Sequence, residues 1–202
     1  MRKLMFAVLG LLLPLAGPLA AKDLRTAVVA GGCFWCVEAD FDKIEGVTET
    51  VSGYAGGAAE TATYKQVVGG DTGHREAVKI TYDADVISYE RIIHLFLRSI
   101  DPFDAGGQFC DRGRSYTTAI YTDSVEEAAA AGQQVKQAEQ QLGRDLATKV
   151  EPNTGFYPAE GYHQNYYKKN PLRYTTYRKG CRRDQRVRQV WGGESIFEAF
   201  GS

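Results

Sequence analysis

The sequence has almost no net charge: 24 Lys and Arg stand against 25 Asp and Glu over 202 residues, a formal −1. That balance argues against wholesale binding of nucleic acid or another polyanion. Internal repeats are missing, which excludes a solenoid or array, and there is no long low-complexity linker. A bilayer-spanning run is missing as well. The apolar stretch Leu4 to Leu15 is shorter than a spanning helix needs, and Pro14 interrupts it. Only four cysteines and three histidines are present. Zinc modules use paired short spacings, and Cys110 and Cys181 have no such neighbour. A non-enzymatic module held by zinc or by structural disulfides is therefore the weakest reading.

What the N-terminus does have is a charged start (Arg2, Lys3), the apolar run, and a small-residue end, Gly17-Pro18-Leu19-Ala20-Ala21. This reads as a secretory signal over residues 1–21, cleaved near Ala20 or Ala21. An uncleaved anchor is the alternative, and with no cysteine nearby a lipid anchor is not expected. The protein is thus expected to be exported, to the periplasm, with no stable membrane association after cleavage. Residues 22–202 form one domain with a basic C-terminal tail. Disulfides are expected in an oxidising compartment. Yet about 180 residues are enough to build a core without staples, so the cysteines read as chemical rather than architectural.

Strands and helices interleave along this domain. Val47 to Tyr54 and Ser115 to Thr122 alternate like strands, and Thr148 to Val150 is a short one. Ser88 caps a helix through Ile92, Ile93, Leu95, Phe96 and Leu97, in which His94 is a packed or rim residue. Ser124 with Glu127 forms a capping box opening a helix that stops at Gly143. Gly-rich turns such as Gly69-Gly70-Asp71-Thr72-Gly73 suggest antiparallel pairs. The fold class is mixed α/β, with one sheet covered by helices. The tail, from Arg173 to Arg188, reads as a solvated basic face, one that could lower the pKa of Cys181 within it.

The chemistry concentrates at Gly31-Gly32-Cys33-Phe34-Trp35-Cys36-Val37-Glu38. A strand ends at the two glycines and a helix begins at or just after Cys33. A thiol there faces the positive end of the helix dipole and free N–H groups, which stabilise the nucleophilic thiolate. Cys36 lies one turn on, and Phe34 and Trp35 offer an apolar wall. In the strand His74 to Tyr82, Glu76 shares a face with Val78, Ile80 and Tyr82. It lies at the mouth of that buried face, where desolvation raises a carboxyl pKa and favours the acid. A soft thiolate, a positioned acid, phenols and an aromatic wall together suit a sulfoxide: protonated oxygen, electrophilic sulfur, a methyl arm. Attack leaves a sulfenic acid, which a second cysteine condenses to a disulfide and an external dithiol reduces.

These residues resemble the methionine sulfoxide reductase A family. The resemblance runs from about Ala27 to Tyr174. It is carried by Gly32-Cys33-Phe34-Trp35 with Glu38, Gly53-Tyr54, Thr72-Gly73-His74 with Glu76, Asp111-Arg112-Gly113 with Tyr116, and Tyr162-His163-Gln164 with Tyr166. It implies a two-layer α/β sandwich that reduces the S epimer of methionine sulfoxide, free or in oxidised proteins. It implies no metal or organic cofactor and a thioredoxin-like dithiol as reductant. Separately, the protein is expected to be a monomer. By the same resemblance Cys33 is the nucleophile, Phe34 and Trp35 hold the substrate methyl, and Glu76 is the acid, helped by Tyr54 and Tyr116. Asp111 orients the methionine backbone. The chain departs from many members in having Cys36 after the Trp, and Thr175 after Tyr174 where many have cysteine. Cys36 and Cys181 therefore stand equal as the resolving cysteine, with Cys110 behind them and read as a buried small residue. His74 receives no chemical role and His163 a structural one. The rival reading is a periplasmic thiol–disulfide oxidoreductase using Cys33-Phe34-Trp35-Cys36, which would not need Glu76.

Overall fold

A computed structural model describes residues 22–200; the expected signal, residues 1–21, lies outside them. The strands are β1 (Leu24–Gly31), β2 (Val47–Ala55), β3 (Arg75–Asp83), β4 (Gly107–Gln108), β5 (Asp111–Arg112), β6 (Thr118–Thr122), β7 (Lys149–Pro152) and β8 (Phe156–Pro158). The helices are α1 (Phe34–Phe41), α2 (Tyr64–Gly69), α3 (Tyr89–Leu97), α4 (Val125–Leu142), α5 (Tyr166–Lys169), α6 (Pro171–Gly180) and α7 (Arg183–Trp191). Six strands form one sheet in the order β7-β6-β1-β3-β2-β8. Neighbours are antiparallel except β6 and β7, which are parallel. This is the mixed, largely antiparallel sheet covered by helices that the sequence leads one to expect.

Alternation along the strands decides which face is covered. Ala27 and Val29 of β1 and Val78, Ile80 and Tyr82 of β3 enter the main core with Phe34, Val37 and Phe41 of α1. Ile92, Ile93, Phe96 and Leu97 of α3, Ala131 and Ala138 of α4, and Val187 and Trp191 of α7 complete it. Each large apolar side chain buried this way contributes about 1.5–3 kcal/mol. The opposite parity carries small residues, Val28, Ala30, Ala55, Ala77 and Ala119, beside Tyr121. There Arg75 gives hydrogen bonds to the Tyr121 hydroxyl at 2.8 Å and to both oxygens of Glu151 at 2.8 and 3.0 Å. Both sequence-marked caps are made: Ser88 Oγ accepts from Arg91 N–H at 3.2 Å, and Ser124 Oγ from Glu127 N–H at 3.1 Å.

Two expectations about this part of the chain change. The strand expected from Ser115 starts only at Thr118, because Gly113, with φ +109°, turns the chain into a 3₁₀ turn over Arg114–Tyr116. Tyr116 is thus presented by a turn. The basic tail is two helices, and not all of its charge is solvated. Arg178 and Arg183 are 8 % and 2 % exposed. Arg178 pairs with Asp40 at 2.9 Å and Asp184 at 2.7 Å. Arg183 gives hydrogen bonds to Gly31 O at 3.1 Å and Ser99 O at 2.9 Å. Carbonyls at the end of β1 and after α3 need donors once buried, and the arginine supplies them. Among the described residues no helix is long and apolar enough to cross a membrane.

Candidate active site

β1 delivers the chain to Cys33 through a turn only glycine fits. Gly32 has φ +78°, and a Cβ there would lie 2.5 Å from Gln108 Cβ. Cys33 is the residue before α1 and Cys36 lies in its first turn; both sulfurs are buried, at 6 % and 1 % residue exposure. Glu76, at the start of β3 and 2 % exposed, reaches across to the same helix end. Its Oε2 accepts the Phe34 N–H at 3.0 Å. A cavity of about 90 Å³ opens here, lined by Cys33, Phe34, Trp35, Tyr64, Glu76, Asp111, Tyr116 and Tyr177.

Burial dominates the electrostatics. It pushes Glu76 up to about 8, with the charges of Asp111 and Cys36 adding and the Phe34 N–H opposing. At neutral pH Glu76 therefore holds its proton, as its strand-mouth position leads one to expect. The two thiols behave differently from that expectation. Burial, then the hydrogen bond with Cys36, pushes Cys33 well above the ordinary thiol range. Cys36 is lowered, first by that hydrogen bond and then, against burial, by the guanidiniums of Arg183 and Arg178. The helix end favours a thiolate at Cys33, but its N–H group at Phe34 is already given to Glu76.

The indole of Trp35 is fixed on three sides. It stacks on Tyr166 with centroids 3.7 Å apart and planes 5° apart. Its Nε1–H donates to His163 Nδ1 at 3.0 Å, and Tyr177 meets it edge-on at 5.9 Å. Glu38 braces this platform from beneath, accepting from the Asn165 N–H at 3.0 Å; burial pushes its pKa up to about 7. Burial lowers the His163 pKa.

The structure brings Cys33, Phe34, Trp35, Glu76, Asp111 and Tyr116 together around one cavity. Tyr54 is beside Glu76 in the β2–β3 register but is fully buried, and its hydroxyl donates to Glu160 Oε2 at 2.7 Å. Glu160 Oε1 accepts the Tyr64 N–H at 2.9 Å, so the same carboxylate sets the start of α2. Tyr64 and Tyr177 are cavity residues that sequence reasoning passed over. Burial, with the charges of Glu76 and Cys33, pushes Tyr64 up to about 12, so it stays a donor. The Tyr177 hydroxyl donates to Asp111 and stands within hydrogen-bonding range of the Cys33 sulfur. The one signal for Tyr177 is its spacing of three from Tyr174 on a single helix, in a tail that reads as solvated.

The other two cysteines are joined to each other. Cys110 and Cys181 form a disulfide, with Cα atoms 5.1 Å apart, while Cys33 and Cys36 are free. This corrects two expectations. Cys110 is exposed rather than a buried small residue, because the β4–β5 turn carries it outward. Cys181 is bonded and does not titrate, so the basic tail has no thiol pKa to lower. Among the described residues no group of three or more His, Cys, Asp or Glu could hold a metal ion.

A vicinal thiol pair shielded from bulk protein, reached through a narrow aromatic slot and opposed by a neutral carboxyl, belongs to a thiol-based reductase of a small electrophile. The sequence model of the peptide methionine sulfoxide reductases matches residues 25–195. The Rhizobium meliloti peptide methionine sulfoxide reductase MsrA 2 is 47% identical over 175 residues, 87% of each chain. The Bacillus subtilis MsrA is 47% identical over 177 residues, 86% of this chain and 99% of its own. The solved reduced form of Mxr1 from Saccharomyces cerevisiae superposes with a TM-score of 0.70 at 30% identity, over 73% of this chain and 86% of that one. The chain belongs to the peptide methionine sulfoxide reductase family.

Proposed function

We propose that this protein reduces methionine S-sulfoxide, free or within oxidised proteins, to methionine, and thereby repairs them. The observation that carries the reading is the neutral Glu76 carboxyl facing Cys33 across an aromatic-walled cavity. The methyl arm rests against Phe34 and Trp35, the sulfoxide oxygen faces Glu76 with Tyr116 and Tyr64 beside it, and Asp111 orients the methionine backbone. Tyr54 supports this group through Glu160.

Cys33 attacks the sulfoxide sulfur as Glu76 gives its proton to the oxygen. The Cys33 thiol proton passes to the neighbouring Cys36 in its thiolate form, the form that the Arg183 and Arg178 guanidiniums favour. The hydroxyl then passes from the methionine sulfur to the Cys33 sulfur: the methionine S–O bond and the S–S bond made on attack both break as the Cys33 S–O bond forms, so methionine leaves and Cys33 is a sulfenic acid; Glu76 regains a proton from solvent. Cys36 then attacks the Cys33 sulfur, expelling water and forming the Cys33–Cys36 disulfide. An external thioredoxin-like dithiol reduces that disulfide and takes up the oxidation. Cys36 is the resolving cysteine in this scheme, since Cys181 is engaged with Cys110.

The neutral Glu76 carboxyl at the Cys33 cavity weighs against the protein-disulfide exchanger, whose chemistry has no use for an acid there. Export to the periplasm after cleavage of residues 1–21 is part of the proposal, and the Cys110–Cys181 bond supports an oxidising compartment. A complete site within one chain supports a working monomer. The test is purified protein with dithiothreitol and the two epimers of a peptide methionine sulfoxide. Consumption of the S epimer alone is expected. Repair of a scrambled disulfide protein with neither epimer consumed would overturn the reading.

A further inference from the structure

The Cys110–Cys181 bond joins two segments, 71 residues apart in sequence, that each contribute a cavity residue. Cys110 directly precedes Asp111 in the β4–β5 turn. Cys181 follows the end of α6, four residues and about one helical turn beyond Tyr177. Asp111 and Tyr177 both line the cavity, and the Tyr177 hydroxyl donates to Asp111. The covalent bond and this hydrogen bond therefore run side by side between the same two segments.

The bond is not a core staple. Cys110 is exposed, Cys181 is half-buried, and neither belongs to a hydrophobic cluster. The backbone beside each cysteine is left-handed without glycine: φ is +55° at Phe109 and +55° at Arg182. Such residues persist where their surroundings hold them. Here the Arg183 guanidinium covers the Phe109 ring at 4.6 Å, and Arg186 pairs with Asp101 at 2.6 Å. Two turns with unfavourable backbone, tied at the tips, are set to one separation.

We propose that the Cys110–Cys181 disulfide is a substrate-positioning clamp. It holds Asp111 against Tyr177 and so fixes the mouth of the cavity in the form that grips the sulfoxide-bearing residue. It takes no part in electron transfer, and its effect reaches the substrate through Asp111. The proposal rests on the assignment of that cavity as the sulfoxide site.

The test is the Cys110→Ala/Cys181→Ala double variant, assayed at steady state with a thioredoxin-type protein as reductant. Thermal unfolding is recorded alongside, and the wild-type bond is followed by alkylation and intact mass. KM for a peptide S-sulfoxide should rise roughly fivefold with kcat held within about twofold, a coupling of ordinary size for groups in contact. In an Asp111→Asn background, opening the bond should leave KM where Asp111→Asn alone puts it. An unchanged KM in the double variant, or the same factor in both backgrounds, overturns the clamp. So does a wild-type Cys110–Cys181 bond that opens and closes with each turnover. If Asp111→Asn itself leaves KM unchanged, the cavity assignment fails rather than the clamp alone. Should the double variant not fold, Cys181→Ser opens the same bond and is read in the same way.

Discussion

The Phe34 backbone N–H donates to Glu76 Oε2 at 3.0 Å, and this one bond ties the acid on β3 to the helix that carries the thiol. Phe34 immediately follows Cys33, so the thiol and the carboxyl are registered to each other through a rigid helix start rather than through two mobile side chains. The same bond occupies the N–H that would otherwise draw charge onto Cys33.

Replacing Glu76 by Gln removes the proton donor while keeping the Phe34 acceptor. General acids contribute about 10²–10⁴-fold, so kcat for sulfoxide reduction should fall by at least about 100-fold. With Glu76 raised to about 8, wild-type activity should decline as pH rises through that value. That limb should be missing from the residual activity of Glu76→Gln, read from pH–rate profiles of the two proteins.

The same shift predicts a stability difference of definite sign. A carboxyl raised from 4.5 to about 8 by burial binds more protons folded than unfolded between those values. Its contribution is thus complete below the unfolded pKa and is lost as pH rises towards the folded one. Glu38, raised to about 7, acts in the same direction. Urea unfolding should show wild type losing stability from about pH 5 to pH 8. Glu76→Gln should lose less over that interval.

Arg178 sits beneath Cys36 with its charge matched by Asp40, which is 0 % exposed. Substitution by Ala leaves that carboxylate buried and unpaired, which costs about 3–5 kcal/mol. Denaturant midpoints should fall accordingly. Arg178→Lys keeps the charge and should recover part of the loss.

Tyr177 donates to Asp111 and approaches the Cys33 sulfur. Tyr177→Phe keeps the ring edge against Trp35 and deletes only the hydroxyl. The Tyr177–Asp111 hydrogen bond is present without substrate, so its loss should lower stability by about 1.5–3 kcal/mol and the thermal midpoint with it. With Asp111 no longer held, kcat/KM for a peptide S-sulfoxide should fall as well.

How much of this was legible beforehand depends on how local each signal is. Cys33, Phe34 and Trp35 lie within three consecutive positions, and Glu76 declares itself by strand parity, so the thiol and the carboxyl that line the cavity could both be singled out directly. The caps at Ser88 and Ser124 are local in the same way. Tyr54 was visible as a tyrosine at a strand end, but its hydroxyl turns to Glu160, a partner 106 residues away that no local pattern announces. Tyr64 and Tyr177 reach the cavity from short helices whose placement is set only by tertiary packing. The cysteine pairing was hidden for the same reason: two turns far apart in sequence meet in space. Arg178 and Arg183 looked like surface charge because sequence shows a run of cations but not the carbonyls and the Asp40 carboxylate waiting beneath them.

The most direct test is to map the disulfides after a single turnover. Enzyme with Cys33 and Cys36 reduced is mixed with one equivalent of a peptide methionine S-sulfoxide, without reductant, then alkylated and digested for mass spectrometry. One methionine per enzyme, a new Cys33–Cys36 bond and an unchanged Cys110–Cys181 bond are predicted. Cys33 joined to Cys110 or Cys181, or Cys33 left unoxidised, would contradict the account.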